Sequence, residues 1–254
     1  MTETIEIRSG AELPARREEI ELHTLDGLTL VGELALPLER DPVATLVCLH
    51  PLPTHHGFMD SHVLRKAALR LPALADLAVL RFNFRGVESP RGRSEGEFDG
   101  GDDERYDLAA ALGLVAERAL PSPWLLGWSF GTEVALKHGR ASSAVGALLL
   151  SPPLHRTSEQ ELRAWSGSGK RMTAIVPELD DYLRPAEARE RFSVVPEAEI
   201  VAVEGGKHLW VGENQVRRVL HEIVARVNPA ALPLPTHWPV EARAGSATSS
   251  PAGG

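Results

Sequence analysis

The chain has 254 residues, 43% apolar and 24% charged, enough for one large domain with a sizeable buried core. Its formal charge of −8 argues against a nucleic-acid partner, because phosphate binding needs clustered Lys and Arg. The single cysteine, Cys48, excludes an internal disulfide, suits a reducing compartment and reads as a small buried hydrophobe within its apolar run.

Residues 1–17 are polar and read as a loose lead-in, without a basic start followed by an apolar stretch. No apolar run approaches the ~20 residues that a membrane span needs. The protein is therefore expected in the cytoplasm, away from membranes. Residues 19–24 and 29–36 alternate apolar and polar around Asp26-Gly27, a dipeptide that favours a tight hairpin. Residues 43–50 then form a nearly continuous apolar run, which reads as a strand buried on both faces of a parallel sheet. Similar runs recur at 77–82, 124–127, 145–150, 172–176 and 199–203.

Helical stripes lie between these runs. Val63, Ala67 and Leu71 repeat every four residues until Pro72 interrupts. Leu108, Leu112, Val115 and Ala119 form a second stripe, and Val216, Val219, Leu220, Ile223, Val224 and Val227 the clearest one. A short helix is expected over 133–138, stopped by Gly139. The alternation predicts an α/β fold with a mostly parallel sheet covered on both faces and an antiparallel edge from the hairpin. One domain is expected over residues 18–228. Residues 229–254, rich in Pro, Ala, Gly and Ser, read as a mobile tail with Trp238 docking locally.

The chemistry centres on Gly127-Trp128-Ser129-Phe130-Gly131, with a strand-like stretch before it and a helix-like one after. In this G-x-S-x-G context the serine occupies a sharp, strained strand-to-helix turn, and a Cβ at either flanking glycine would strike the neighbouring backbone. The helix start also presents amide donors to developing negative charge. A serine hydroxyl needs a base, and partners in such an architecture follow in the order Ser, acid, His. After 199–203 comes a glycine-rich loop with one histidine, His208. After 172–176 comes Pro177-Glu178-Leu179-Asp180-Asp181, so Asp180 or Asp181 is the candidate acid that orients His208.

The chain resembles the α/β-hydrolase superfamily, and within it a bacterial group without a cap domain. The resemblance rests on His50-Pro51-Leu52-Pro53, on Arg81-Phe82-Asn83-Phe84-Arg85-Gly86 and on the Gly127 to Gly131 elbow, and it runs from about Glu19 to Val227. It implies an eight-stranded, mostly parallel sheet flanked by helices, the Ser-acid-His order and hydrolytic chemistry, but no particular substrate. The E-x-D pattern of such relatives matches Glu178-Leu179-Asp180 and favours Asp180; counting back four from Pro185 gives Asp181 instead. The resemblance also implies two backbone oxyanion donors, Phe130 and one in the 50–53 loop. There Leu52 is the only donor between two prolines, and Pro51 departs from the usual glycine.

Four histidines, His50, His55, His56 and His62, match no zinc spacing, so neither metal nor cofactor is expected. His50 reads as a buried strand-end residue. His55 and His56 are expected at the mouth of the site, with Trp128 and Trp165 as further pocket candidates. Asn83 and Arg85 are expected to tie loops together, and Asp102, Asp103 and Glu104 to form a solvated helix start. Only ~20 residues join Leu150 to Met172, too few for a cap, so the site is expected to be open. Short substrates are then favoured unless Phe58, Met59 and Trp165 fold over it. The expected function is hydrolysis of small carboxylic esters or thioesters through an acyl-enzyme. The alternatives are an amidase or peptidase with the same residues, or a non-hydrolytic binding relative.

Overall fold

In a computed structural model, which describes residues 4–239, the apolar runs become strands because both of their faces are covered. The strands are β1 (Arg16–His23), β2 (Thr29–Leu36), β3 (Ala44–Leu49), β4 (Leu77–Phe82), β5 (Pro123–Trp128), β6 (Gly146–Leu150), β7 (Arg171–Pro177) and β8 (Glu199–Val203). They form one sheet of eight in the order β1-β2-β4-β3-β5-β6-β7-β8. β1 and β2 pair antiparallel around the Asp26-Gly27 turn, β2 runs antiparallel to β4, and the rest are parallel.

The helices are α1 (His62–Ala75), α2 (Glu104–Glu117), α3 (Phe130–His138), α4 (Glu159–Arg163), α5 (Pro185–Arg191) and α6 (Glu213–Val227). Successive strand residues point to opposite faces, and the two cores follow that alternation. Leu46 and Cys48 pack with α1 and α6 through Val63, Leu71, Val216 and Ile223, whereas Val47 and Leu49 pack with α2 and α3 through Leu108, Leu112 and Val134. Each such aliphatic side chain contributes about 1.5–3 kcal/mol when fully buried. Arg81, a charge inside β4, is buried against the carboxylates of Glu33 and Asp60. Arg85 gathers Asp26 and Asp107, and Asn83 accepts the Met59 N–H and donates to Ser89, so both tie loops as expected.

Several expectations are corrected. Pro72 does not interrupt its helix: α1 runs through it to Ala75. So near the end, the missing N–H removes a single bond, and Asp76, at φ 49°, closes the helix by donating its N–H to Leu71 O. Residues 1–17 are not a loose lead-in where they are described. Thr4–Glu6 pairs antiparallel with His237–Pro239, Leu13 is buried with its N–H on Leu69 O, and β1 already begins at Arg16. Nor does the packed chain stop at residue 228. Leu234 is buried, Ile7 N–H donates to Thr236 O, and Trp238 sits opposite Ile5. The rest of the expected mobile tail, 240–254, lies outside the described residues. Glu104 is not solvated: it is fully buried and accepts the N–H groups of Asp99 and Gly101, which otherwise lack partners. Burial raises its carboxyl above the usual range.

No helix among the described residues is long and apolar enough to cross a membrane.

Candidate active site

The candidate side chains converge at the carboxyl ends of the parallel strands, where ligands of open α/β sheets bind. Ser129 follows β5 and caps α3 with φ 52° and ψ −115°, a backbone conformation that an L-residue adopts only under constraint. The constraint is visible. Ser129 N–H donates to Leu150 O at 2.9 Å, and its carbonyl accepts the N–H and hydroxyl of Thr132 at 2.9 and 2.6 Å. A Cβ on Gly127 would stand 2.6 Å from Gly131 O, and one on Gly131 only 2.0 Å from Leu49 O. Both positions therefore require glycine for close backbone approach.

His208, in the loop after β8, reaches Ser129 Oγ with Nε2 at 2.9 Å. Its Nδ1 stands 3.0 Å from Asp180 Oδ2 and 3.1 Å from Oδ1. An ionised carboxylate only accepts, so Nδ1 carries the proton and the Nε2 lone pair faces the serine hydroxyl. Asp180 is buried, and its Oδ1 also accepts the Tyr182 N–H at 2.8 Å, while Asp181 is exposed. Of the two candidate acids, the structure brings Asp180 to the histidine. The histidine loop is pinned from three sides. Trp128 Nε1–H and Ser151 Oγ donate to His208 O, and His62 Nε2–H donates to Leu209 O at 2.6 Å. Burial lowers the His62 pKa, which favours the neutral ring. Tyr182 packs its ring edge-on at 4.6 Å from the His208 ring.

These groups open into a pocket of about 560 Å³, within the range of small-molecule sites. Leu52, His55, Trp128, Ser129, Phe130 and His208 line it. Leu52 precedes the short 3-10 turn Pro53–His55, and Phe130 opens α3, where a first-turn N–H has no intrahelical acceptor. His50 supports this loop from beneath. It is fully buried, donates Nδ1–H to Pro51 O at 2.7 Å and accepts the Phe84 N–H on Nε2 at 3.0 Å.

Other candidates lie elsewhere. His56, left-handed at φ 60°, turns to a neighbouring cleft with Phe58 and Pro90. Trp165 is buried under α3, donating Nε1–H to Leu136 O at 2.8 Å; an aromatic in a short connection satisfies itself in the core rather than roofing a pocket. Met59 is fully buried too, and neither it nor Phe58 lines the pocket. Among the described residues no group of three His, Cys, Asp or Glu side chains could hold a metal ion. The sequence reading missed Glu133, Pro153, His155, Arg156 and Leu209 in the lining, which Pro51 and Tyr182 complete. Glu133 had a signal: it lies in the first turn of α3, directly after the elbow.

No family model matches this sequence, and no curated protein does. Solved structures do match. A serine hydrolase without a lid from Xanthomonas campestris is 27% identical, with a TM-score of 0.70, over 85% of this chain and 97% of that one. An α/β serine hydrolase homologue from Coxiella burnetii is 23% identical, with a TM-score of 0.71, over 83% and 97%. This is the α/β-hydrolase fold in its lidless form. An esterase from Pyrococcus furiosus shares the α/β-hydrolase fold at 18% identity and a TM-score of 0.65, over 84% of this chain and 93% of that one. In this chain the segment between β6 and β7 forms only the five-residue α4 and loops.

Proposed function

We propose that the chain is a serine hydrolase of small carboxylic esters or thioesters. One observation carries the reading: the continuous hydrogen-bonded chain from Ser129 Oγ through His208 to Asp180, with contacts of 2.9 and 3.0 Å. Serine hydrolases and esterases among the structural neighbours support it.

In this reading Ser129 Oγ attacks the acyl carbon while His208 Nε2 takes the hydroxyl proton. Asp180 fixes the tautomer and stabilises the imidazolium. The tetrahedral oxyanion is met by the N–H groups of Leu52 and Phe130. Collapse breaks the bond to the alcohol or thiol, which leaves with the proton from His208. Water, deprotonated by the same imidazole, then releases the acid from the acyl-enzyme.

A fluorophosphonate probe tests this directly. The adduct is expected on Ser129 by peptide mass spectrometry. Ser129→Ala should escape labelling and lose on the order of 10⁴–10⁶ in kcat, with an unchanged circular dichroism spectrum. Folded wild-type protein that resists the probe and cleaves no ester, thioester or amide would overturn the reading in favour of a binding protein.

A further inference from the structure

Resting on that reading, we infer that Arg156 is a specificity-determining residue, and that the preferred substrate carries an anionic group, a carboxylate or phosphate, which its guanidinium binds. Arg156 is an exposed side chain of the wall that completes the Ser129 pocket. Among the described residues no carboxylate stands within ion-pair distance of it, whereas Lys137 of α3 and Arg163 of α4 are paired with Asp102 and Glu159.

The side chain is presented rather than left loose. Buried Glu133 accepts the N–H of His155 at 2.7 Å and the hydroxyl of Thr157, so one carboxylate grips both neighbours of Arg156. The guanidinium lies over the Phe130 ring, 6.0 Å from its centroid, a placement that leaves its N–H edge free for an oxyanion. Gly100 lies close to the guanidinium: a Cβ there would meet Arg156 Nη1 at 3.6 Å, an ordinary contact distance. Each Glu133 oxygen accepts one of these wall hydrogen bonds, Oε1 from His155 and Oε2 from Thr157. Because Phe130 also follows the nucleophile directly, the ring that carries the cation belongs to the residue next to the reacting serine.

The test compares kcat/KM, followed by methanol release, for the monomethyl esters of succinate, glutarate and adipate against neutral methyl esters of the same chain length. Wild type is expected to favour at least one half-ester. Arg156→Gln should lower the ratio of half-ester to neutral ester roughly fivefold to tenfold, Arg156→Glu should lower it further, and Arg163→Gln should leave it in place. A ratio that ignores Arg156→Gln, or that moves equally with Arg163→Gln, overturns the inference. If no ester is cleaved, the hydrolase reading fails separately, and binding decides the subsite. Glutarate and propyl phosphate, titrated calorimetrically into Ser129→Ala protein, should bind more weakly once Arg156→Gln is added. Equal or absent binding rejects the subsite, and the stronger of the two ligands identifies the anion.

Discussion

The two adjacent aspartates separate by environment. Asp180 is buried against His208, while Asp181 faces solvent. Asp180→Asn should therefore cost about 10⁴ in kcat, because an amide at that place favours the wrong imidazole tautomer. Asp181→Asn should change kcat by less than about twofold; steady-state kinetics of both variants decide, and the reverse ranking would move the role. His50 carries a different consequence. Burial pushes its pKa down to about 4, below the ordinary value near 6.5. The unfolded chain therefore binds the proton first. The stability that a neutral His50 contributes is complete above pH 6.5 and is lost as pH falls toward 4. Between pH 7 and pH 5 that loss is about 2 kcal/mol. Urea unfolding at both pH values should show the drop in wild type and a correspondingly flatter response in His50→Gln. Equal slopes would assign the pH dependence to other groups.

At the scale of elements, the elbow depends on two backbones meeting without a side chain between them. Gly131→Ala would place a Cβ 2.0 Å from Leu49 O, and the variant should lose more than about 3 kcal/mol or fail to accumulate. Gly113, exposed in α2, meets nothing within 4 Å, so Gly113→Ala should instead stabilise by roughly 0.5–1 kcal/mol. Thermal unfolding of the pair reads both signs. The same contrast explains what was legible in the sequence. β3 to β7 announced themselves because strands covered on both faces are written almost wholly in apolar residues, and α6 because one face alone is apolar. Ser129 and His208 were legible from their places after strands, whereas the choice between Asp180 and Asp181 is one of burial, which two identical neighbours cannot encode. Thr4–Glu6 stayed hidden because it is exposed and polar, held by backbone bonds that carry no side-chain pattern. Trp165 misled because an aromatic near a site reads alike whether it lines a pocket or fills a core. Glu104 misled because an acidic run reads as solvated until its buried amide partners are seen.

Across the whole molecule, the pocket sits at the strand ends, and the segment between β6 and β7 adds only the five-residue α4 and loops. Each buried CH₂ is worth about 0.8 kcal/mol, so kcat/KM for p-nitrophenyl esters should climb over the first few acyl carbons and then level off. A steep rise continuing to sixteen carbons would reveal a tunnel that the pocket of about 560 Å³ does not contain. The ribbon of Thr4–Glu6 with His237–Pro239 has a wider consequence. Thr4 and Pro239 are register partners, which in an antiparallel pair puts their Cα atoms about 5 Å apart. A short linker could join them, and the exposed turn around Gly167 and Gly169, where an added Cβ would meet nothing within 4 Å, offers a place to cut the resulting ring. Such a circular permutant should fold and label with the same probe, although its reacting groups would then be encoded as acid, histidine, serine. The familiar order along the gene would be an accident of where evolution opened the circle, since the geometry depends only on which strand ends lie side by side.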